Sequence, residues 1–345
     1  MIGFLLGVVA CSGGDLRGDE GDTTPPEPPS EKVKYRQVVV GNTQACGLRE
    51  DNRVVCWGAT EEEIEQGTLD YYYYDGQAPD GLFASLSISG GPRSGAPVNS
   101  ASGKVCAIEI DRETICCWGR AEFGRSSARS CVPMLSASDG AVFTSIVAGV
   151  THVCGLEDTG LMACVDDNGN ARVISDIREI VGSGYLLDAI TKSTEYVQDS
   201  LDVHDCSTEQ LFESPPEPIP AKIDDPALVE GVTGCFWNAE SGLIRCDDSR
   251  HGWEPGPGMV DVAGTSYSTC AIYSSGAVRC ETPMNYTVDP EGIIDNWPPD
   301  PVGKFKQIAL WPDSASVGCG ITLDDQLSCW GTPSGQGRWI VERAP

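Results

Sequence analysis

From residue 33 onward the apolar positions fall into short runs, rich in β-branched residues, that stop at a turn former. Val38-Val39-Val40 stops at Gly41, Ile146-Val147-Ala148 at Gly149, and Val54-Val55-Cys56-Trp57 at Gly58. Runs of this length closed by Gly, Asn or Asp predict β-strands rather than helices. Cysteines give the runs a register. Ten residues separate Cys46 from Cys56, Cys106 from Cys116, Cys154 from Cys164, Cys270 from Cys280 and Cys319 from Cys329, and eleven separate Cys235 from Cys246. In an antiparallel hairpin, opposed residues have position numbers with a constant sum. Placing Cys154 against Cys164 therefore sets Leu156 against Met162 and leaves Asp158-Thr159-Gly160 as the loop. A three-residue loop is commonly a type I turn followed by a left-handed residue. Gly160, Gly276 and Asn52 suit that position, Asp325 suits it less, and Arg112 suits it so poorly that the second hairpin is expected to turn differently. Opposed Cβ atoms lie close enough for a disulfide, and each such bridge contributes about 2–3 kcal/mol.

A degenerate seventh copy is expected in the widest gap, over Tyr196–Cys206, with Tyr196 in the place of the first cysteine. Repeats then begin at residues 46, 106, 154, 196, 235, 270 and 319. Their spacing suits blades of about four short antiparallel strands, and the predicted fold is an all-β, seven-bladed β-propeller with within-blade hairpin disulfides in the six repeats that keep both cysteines.

The phrases around the hairpins resemble the repeat of the regulator of chromosome condensation family in its cysteine-rich bacterial form. Val38-Val39-Val40-Gly41-Asn42-Thr43-Gln44-Ala45-Cys46-Gly47-Leu48 is echoed by Ile146-Val147-Ala148-Gly149-Val150-Thr151-His152-Val153-Cys154-Gly155-Leu156 and by Val262-Ala263-Gly264-Thr265-Ser266-Tyr267-Ser268-Thr269-Cys270-Ala271-Ile272. Cys56-Trp57-Gly58 returns as Cys117-Trp118-Gly119 and Cys329-Trp330-Gly331. The resemblance spans nearly all of the chain after residue 33, is eroded in the fourth and fifth repeats, and implies a closed ring of seven blades. Family members include guanine nucleotide exchange factors and an inhibitor of β-lactamase. Neither activity transfers here, because no matching functional loop is present.

Charge and composition narrow the functional classes. Fifty-one acidic residues against 23 Lys and Arg give a net charge of -28, and no basic stripe interrupts it, so nucleic acid is not an expected partner. Sixteen cysteines without CxxC pairs point to oxidised hairpins outside the reducing cytosol rather than to zinc or iron–sulfur sites.

At the other end of the chain, Met1–Ala10 is a short apolar run, and Val8-Val9-Ala10-Cys11 resembles the lipobox of bacterial lipoproteins, although no Lys or Arg precedes the run. That resemblance implies a signal over residues 1–11 with Cys11 lipidated, and Ser12 implies sorting to the outer membrane, facing the periplasm or the cell surface. Residues 12–32 have the composition of a flexible acidic Pro/Gly-rich tether, and the propeller occupies 33–345. The membrane is expected to be met through the lipid anchor only, since no run reaches the length of a spanning helix.

Most conspicuous residues are expected to be architectural. Trp57, Trp118 and Trp330 recur at one place and should pack between blades, and a tight backbone approach explains the recurring Gly41, Gly149 and Gly264. His152, His204 and His251 share no motif, and Asp166-Asp167-Asn168-Gly169-Asn170 lacks the closing Glu of a calcium loop. No metal, no cofactor and no catalytic residue is assigned, since nucleophile, zinc and phosphate motifs are all missing. With Cys106 paired to Cys116, Cys117 and Cys131 remain to pair across the following loop; as neighbours, Cys116 and Cys117 are open to exchanging partners. Cys206 stands alone and reads as a buried small residue, with an external thiol or an intermolecular bond as the alternative.

These features point to a non-catalytic envelope lipoprotein that binds an unidentified protein or glycan, with an extracytoplasmic polysaccharide hydrolase or lyase as the rival. The expected contact patch is Tyr71, Tyr72, Tyr73, Tyr74 and Asp75, which follow Glu61-Glu62-Glu63-Ile64-Glu65 in the longest repeat. Alternate tyrosines of a strand face opposite sides, so four in a row cannot all enter one core face.

Overall fold

The computed structural model describes residues 32–41, 44–58, 78–89, 104–119, 128–149, 152–166, 169–183, 186–192, 196–200, 227–229, 235–238, 240–246, 252–253, 255–265, 268–281, 301–310, 317–331, 340–341 and 344–345. Seven antiparallel sheets follow one another along the chain. Blade 1 comprises Tyr35–Val40, Gln44–Arg49 and Val54–Gly58. Blade 2 comprises Phe83–Ile88, Val105–Glu109, Thr114–Gly119 and Ala128–Ser136. Blade 3 comprises Phe143–Ala148, His152–Glu157, Met162–Asp166 and Ala171–Ile174. Blade 4 has Ile177–Ser183, Leu186–Thr191 and Tyr196–Ser200. Blade 5 has Ala227–Leu228, Cys235–Asn238, Leu243–Cys246 and Gly252–Trp253. Blade 6 has Met259–Thr265, Ser268–Tyr273 and Val278–Glu281, and blade 7 has Phe305–Leu310, Val317–Thr322 and Leu327–Gly331.

Successive blades pack through their first strands, which makes these the inner strands of a ring. Apolar side chains fill the wedges on both sides of a sheet, because strand residues alternate between its faces. In blade 1, Val38 and Val40 face blade 7, with Ala309, Val317 and Ile321, while Val39, Cys46 and Leu48 face blade 2, with Leu86, Val105 and Ala107. The first and last blades thus meet across the same kind of wedge as any other pair. Ile340 is buried in that closing wedge, and its carbonyl accepts the indole N–H of Trp57 at 2.9 Å. The fold is a seven-bladed β-propeller.

The fourth blade departs from expectation. Its hairpin is not Tyr196–Cys206. Ile190 pairs with Tyr196 and Asp188 with Gln198, the register that Leu48, Val54, Cys46 and Cys56 hold in blade 1. The repeat therefore begins at Asp188, and blade 4 carries Asp188 and Gln198 in the places of the two cysteines. Cys206 lies outside the described residues. Gly264 also shifts: it pairs with Thr269, which places it inside its strand, one position before the places of Gly41 and Gly149.

Inner strands share a second device. In six blades a bulge at the second residue breaks the register, between Tyr35 and Gln37, Phe83 and Ser85, Phe143 and Ser145, Ile177 and Glu179, Met259 and Asp261, and Phe305 and Gln307. A bulge re-aims the side chain that follows it, and a polar residue follows in all six. Gln37 reaches into blade 2, accepting from Leu86 N–H at 2.9 Å and donating to Leu86 O at 3.0 Å. Gln307 treats Val38 of blade 1 the same way, at 2.9 and 3.2 Å. The outward backbone of the neighbouring inner strand is thereby satisfied, where an unpaired buried amide would cost about 1–3 kcal/mol.

The hairpin turns form a further set of links. Asn52, Arg112, Gly160, Gly276 and Asp325 all have positive φ, between 64° and 87°. Their carbonyls accept the N–H that opens the next inner strand: Phe83 onto Asn52 at 2.8 Å, Phe143 onto Arg112 at 2.7 Å, Ile177 onto Gly160 at 2.9 Å, Phe305 onto Gly276 at 2.8 Å and Tyr35 onto Asp325 at 2.7 Å. Arg112 was expected to impose a different turn; its loop is indeed one residue longer, with Ile108 opposite Ile115 where Leu48 stands opposite Val54, yet Arg112 itself is left-handed like its counterparts and its carbonyl meets Phe143. A non-glycine residue there costs about 1–2 kcal/mol, and glycine would return part of the gain as lost backbone entropy. Replacing Arg112 with Gly should therefore stabilise the protein by about 0.5–1 kcal/mol, seen as a higher urea midpoint with an unchanged slope.

Candidate interaction surface

Cystines set the base of the surface. Cys46–Cys56, Cys154–Cys164, Cys270–Cys280 and Cys319–Cys329 join opposed residues of the second and third strands, each with Cα atoms 4.0 Å apart. Cys235 stands opposite Cys246 in the strand register of blade 5. Blade 2 corrects the expected pairing: Cys106 bonds Cys117, and Cys116 bonds Cys131. The cause is one extra residue in its hairpin loop. Ile108 pairs with Ile115, so Cys106 faces Cys117, and Cys116, on the opposite face of the sheet, reaches the fourth strand. Cys116 lines the wedge toward blade 1, whereas Cys106 and Cys117 line the wedge toward blade 3.

The tryptophans behave as architecture. Trp57 faces blade 7, Trp118 faces blade 1 and meets Phe83 at 5.7 Å, and Trp330 meets Phe305 at 5.4 Å. The glycine after each has positive φ, 147° at Gly58, 114° at Gly119 and 138° at Gly331, so the third strand ends in a conformation that L-residues rarely adopt.

Those three glycines lie on the face opposite the hairpin turns, together with the connections between first and second strands. Long connections leave from that face at several blades: residues 201–226 after Ser200 of blade 4, residues 282–300 after Glu281 of blade 6, and three more at blades 1 and 2. Residues 59–77 leave after Gly58, residues 90–103 leave after Ser89, and residues 120–127 leave after Gly119. The middle insertion has a closed base: Ser89 N–H donates to Lys104 O at 2.9 Å, and Lys104 N–H donates to the Ser89 hydroxyl at 3.1 Å. Cys116–Cys131 ties down the strand that follows the third insertion. Gln44 and His152, which open the second strands of blades 1 and 3, and Lys104, just before that of blade 2, are buried at this same level. Neither the extra hairpin residue nor this convergence was read from the sequence. The Cys-Trp-Gly phrase did carry the first, because it aligns Cys117, not Cys116, with Cys56.

Tyr71, Tyr72, Tyr73, Tyr74, Asp75 and Cys11 lie outside the described residues, as do His204 and His251. Of the residues weighed for calcium, Asp166 accepts from Asn170 N–H at 2.7 Å and from its side-chain amide at 2.8 Å, which closes a turn. The buried carboxylate of Glu157 is taken by Ser138 N–H at 2.8 Å, the Ser138 hydroxyl at 2.9 Å and the Thr159 hydroxyl at 3.1 Å. Among the described residues no three His, Cys, Asp or Glu side chains are grouped to hold a metal, and no helix is long and apolar enough to cross a membrane.

No protein-family model matches the sequence, and no curated protein is detectably similar to it. Solved structures do match. The CRINKLY WD40 ectodomain of the Arabidopsis thaliana receptor kinase ACR4 superposes with a TM-score of 0.52 at 17% identity, over 87% of this chain and 96% of its own. The ectodomain of the Physcomitrella patens receptor kinase CR4 superposes with 0.51 at 15% identity, over 88% of this chain and 77% of its own. At these identities the likeness is one of fold.

The second cystine of blade 2 has a direct chemical check. In Cys131→Ser the new free thiol should map to Cys116, with Cys106–Cys117 intact; a thiol at Cys117 would restore the simpler pairing. Opening that loop should also cost about 3 kcal/mol of stability.

Proposed function

We propose that this protein is a non-catalytic binding or scaffold lipoprotein of the bacterial envelope, held at the outer membrane through Cys11, and that its propeller presents one face to a protein or glycan partner. The observation that carries this reading is the departure of long connections from one face of the ring, three of them at the adjacent, disulfide-bonded blades 1 and 2. Loops on a rigid frame are where recognition is usually built, because the frame fixes their ends while their sequence varies freely. The first insertion supplies suitable chemistry. Residues 59–77 carry six acidic side chains and no Lys or Arg, and contain Tyr71, Tyr72, Tyr73 and Tyr74 beside Asp75. Tyrosine offers a broad amphipathic contact at low entropic cost, and neighbouring carboxylates favour a cationic protein surface or the hydroxyls of a sugar. The Val8-Val9-Ala10-Cys11 box and the acidic tether support the anchor and its reach.

Two experiments test the reading separately. Cys11→Ser should move the protein from the detergent-extracted membrane fraction to the soluble extracytoplasmic fraction; unchanged fractionation would remove the anchor. Partners captured from solubilised native envelope should lose affinity at least about tenfold, or about 1.4 kcal/mol, for the double substitution Tyr72→Ser and Tyr74→Ser at unchanged Tm. Undiminished capture would reject the tyrosine patch, and product formation from any member of a polysaccharide panel would replace the binding reading with the hydrolase or lyase one.

A further inference from the structure

The polar residue behind each inner-strand bulge is glutamine in blades 1 and 7 but aspartate in blade 6. That substitution changes what the position can do. Gln37 and Gln307 each meet both backbone groups of the facing residue, accepting its N–H and donating to its carbonyl. In blade 7 the facing residue is Ile308, which holds the place of Val38 and Leu86 in the bulged strand. Asp261 accepts from Ile308 N–H and from Val262 N–H, the latter at 2.9 Å. An ionised carboxylate has acceptors only, so it gives the Ile308 carbonyl nothing; a protonated carboxyl has one donor to give.

We propose that Asp261 makes the seam between blades 6 and 7 pH-responsive, the seam being complete, in the manner of the two glutamine seams, only when this carboxyl carries a proton. The inference is independent of what the opposite face binds. Burial pushes the Asp261 carboxyl up to about 6 from an ordinary 3.8, against the opposing pull of the Val262 and Ile308 N–H groups. Charged and titratable groups on the described strands packed around it are few. Tyr273 on the second strand of blade 6 donates its hydroxyl to Pro255 O at 2.8 Å. Arg279 and Glu281 belong to the third strand. Lys306, on the inner strand of blade 7, pairs with Asp325. None of these four is among the causes of the Asp261 displacement. Because the folded carboxyl holds its proton to a higher pH than the unfolded one, folding gains stability as pH falls from about 6 towards 3.8 and loses that contribution as pH rises through about 6.

The test compares wild type with Asp261→Asn in the full chain, since Asn donates from its amide at every pH. Taking the difference in Tm at each pH cancels the titration shared by the other acidic groups. Asp261→Asn should melt several degrees above wild type near pH 7.5, with the gap narrowing below about pH 6 and closing only towards about pH 4. A gap that does not change with pH, or a variant that melts lower throughout, overturns the proposal. Should the variant not fold, hydrogen exchange in wild type decides. Protection at Ile308 relative to Val38, whose partner Gln307 does not titrate, should rise at least about threefold between roughly pH 7.5 and 5.5. A constant ratio sinks the idea.

Discussion

A blade in this ring has no face to give to water: each sheet is apolar on both sides, and only a neighbouring blade can cover either. That constraint governs everything else. Each wedge buries several large side chains, such as Phe83, Leu48 and Ile108, at about 1.5–3 kcal/mol apiece. One hydrogen bond between blades contributes about 0.5–1.5 kcal/mol by comparison. Apolar packing therefore supplies the stability of a seam, while the hydrogen bonds fix its spacing. The turn carbonyl of one hairpin meets the first N–H of the next inner strand at one end of the seam, and the residue behind the bulge meets the middle of that strand. Left-handed backbone at Arg112 and Asp325 persists because the seam holds it there.

The fold was legible because hairpin geometry leaves an arithmetical trace. Cysteines a constant distance apart, with glycine or asparagine one residue past the middle, specify two strands, a turn and a register at once. Arithmetic failed where it was applied without the phrase around it. Cys106 and Cys116 have the regular separation, yet Trp118-Gly119 follows Cys117, and it is the Trp-Gly phrase that marks where a third strand ends. In blade 4 the search for cysteines led to Tyr196–Cys206, although Ile180-Val181-Gly182-Ser183-Gly184-Tyr185 matches Val262-Ala263-Gly264-Thr265-Ser266-Tyr267 of blade 6. A disulfide is one solution at a position that two opposed polar residues, Asp188 and Gln198, also occupy.

The bulged inner strand is the more faithful repeat. Tyr35-Arg36-Gln37-Val38, Phe143-Thr144-Ser145-Ile146, Ile177-Arg178-Glu179-Ile180, Met259-Val260-Asp261-Val262 and Phe305-Lys306-Gln307-Ile308 share one pattern: a bulky residue, a variable one, a polar one, then an aliphatic one. Strict alternation cannot produce it, since two residues of the bulged strand oppose one of its partner. Bulky side chains at its first position also explain small residues across the strand pair. A Cβ at Gly155 would come within 2.7 Å of the Phe143 ring, and one at Gly320 within 2.6 Å of Phe305. The surface was less legible for a different reason. Where a loop leaves the ring depends on strand direction and blade order, which no local run of residues encodes.

Blade 2 carries an extra covalent tie. Among the described residues blade 2 alone has two cystines, and it is interrupted on the face opposite the turns by residues 90–103 and again by residues 120–127. An insertion between first and second strands separates the two elements that must pair to cover a wedge, and the entropic cost of closing a loop grows with its length, if slowly. Ser89 and Lys104 close the base of that excursion with reciprocal bonds, and Cys116–Cys131 recovers the fourth strand after the other. The tie makes sense if the positions of the loop ends matter. A rigid base beneath long loops preserves their relative placement while the loops meet a partner, and so lowers the ordering cost of recognition.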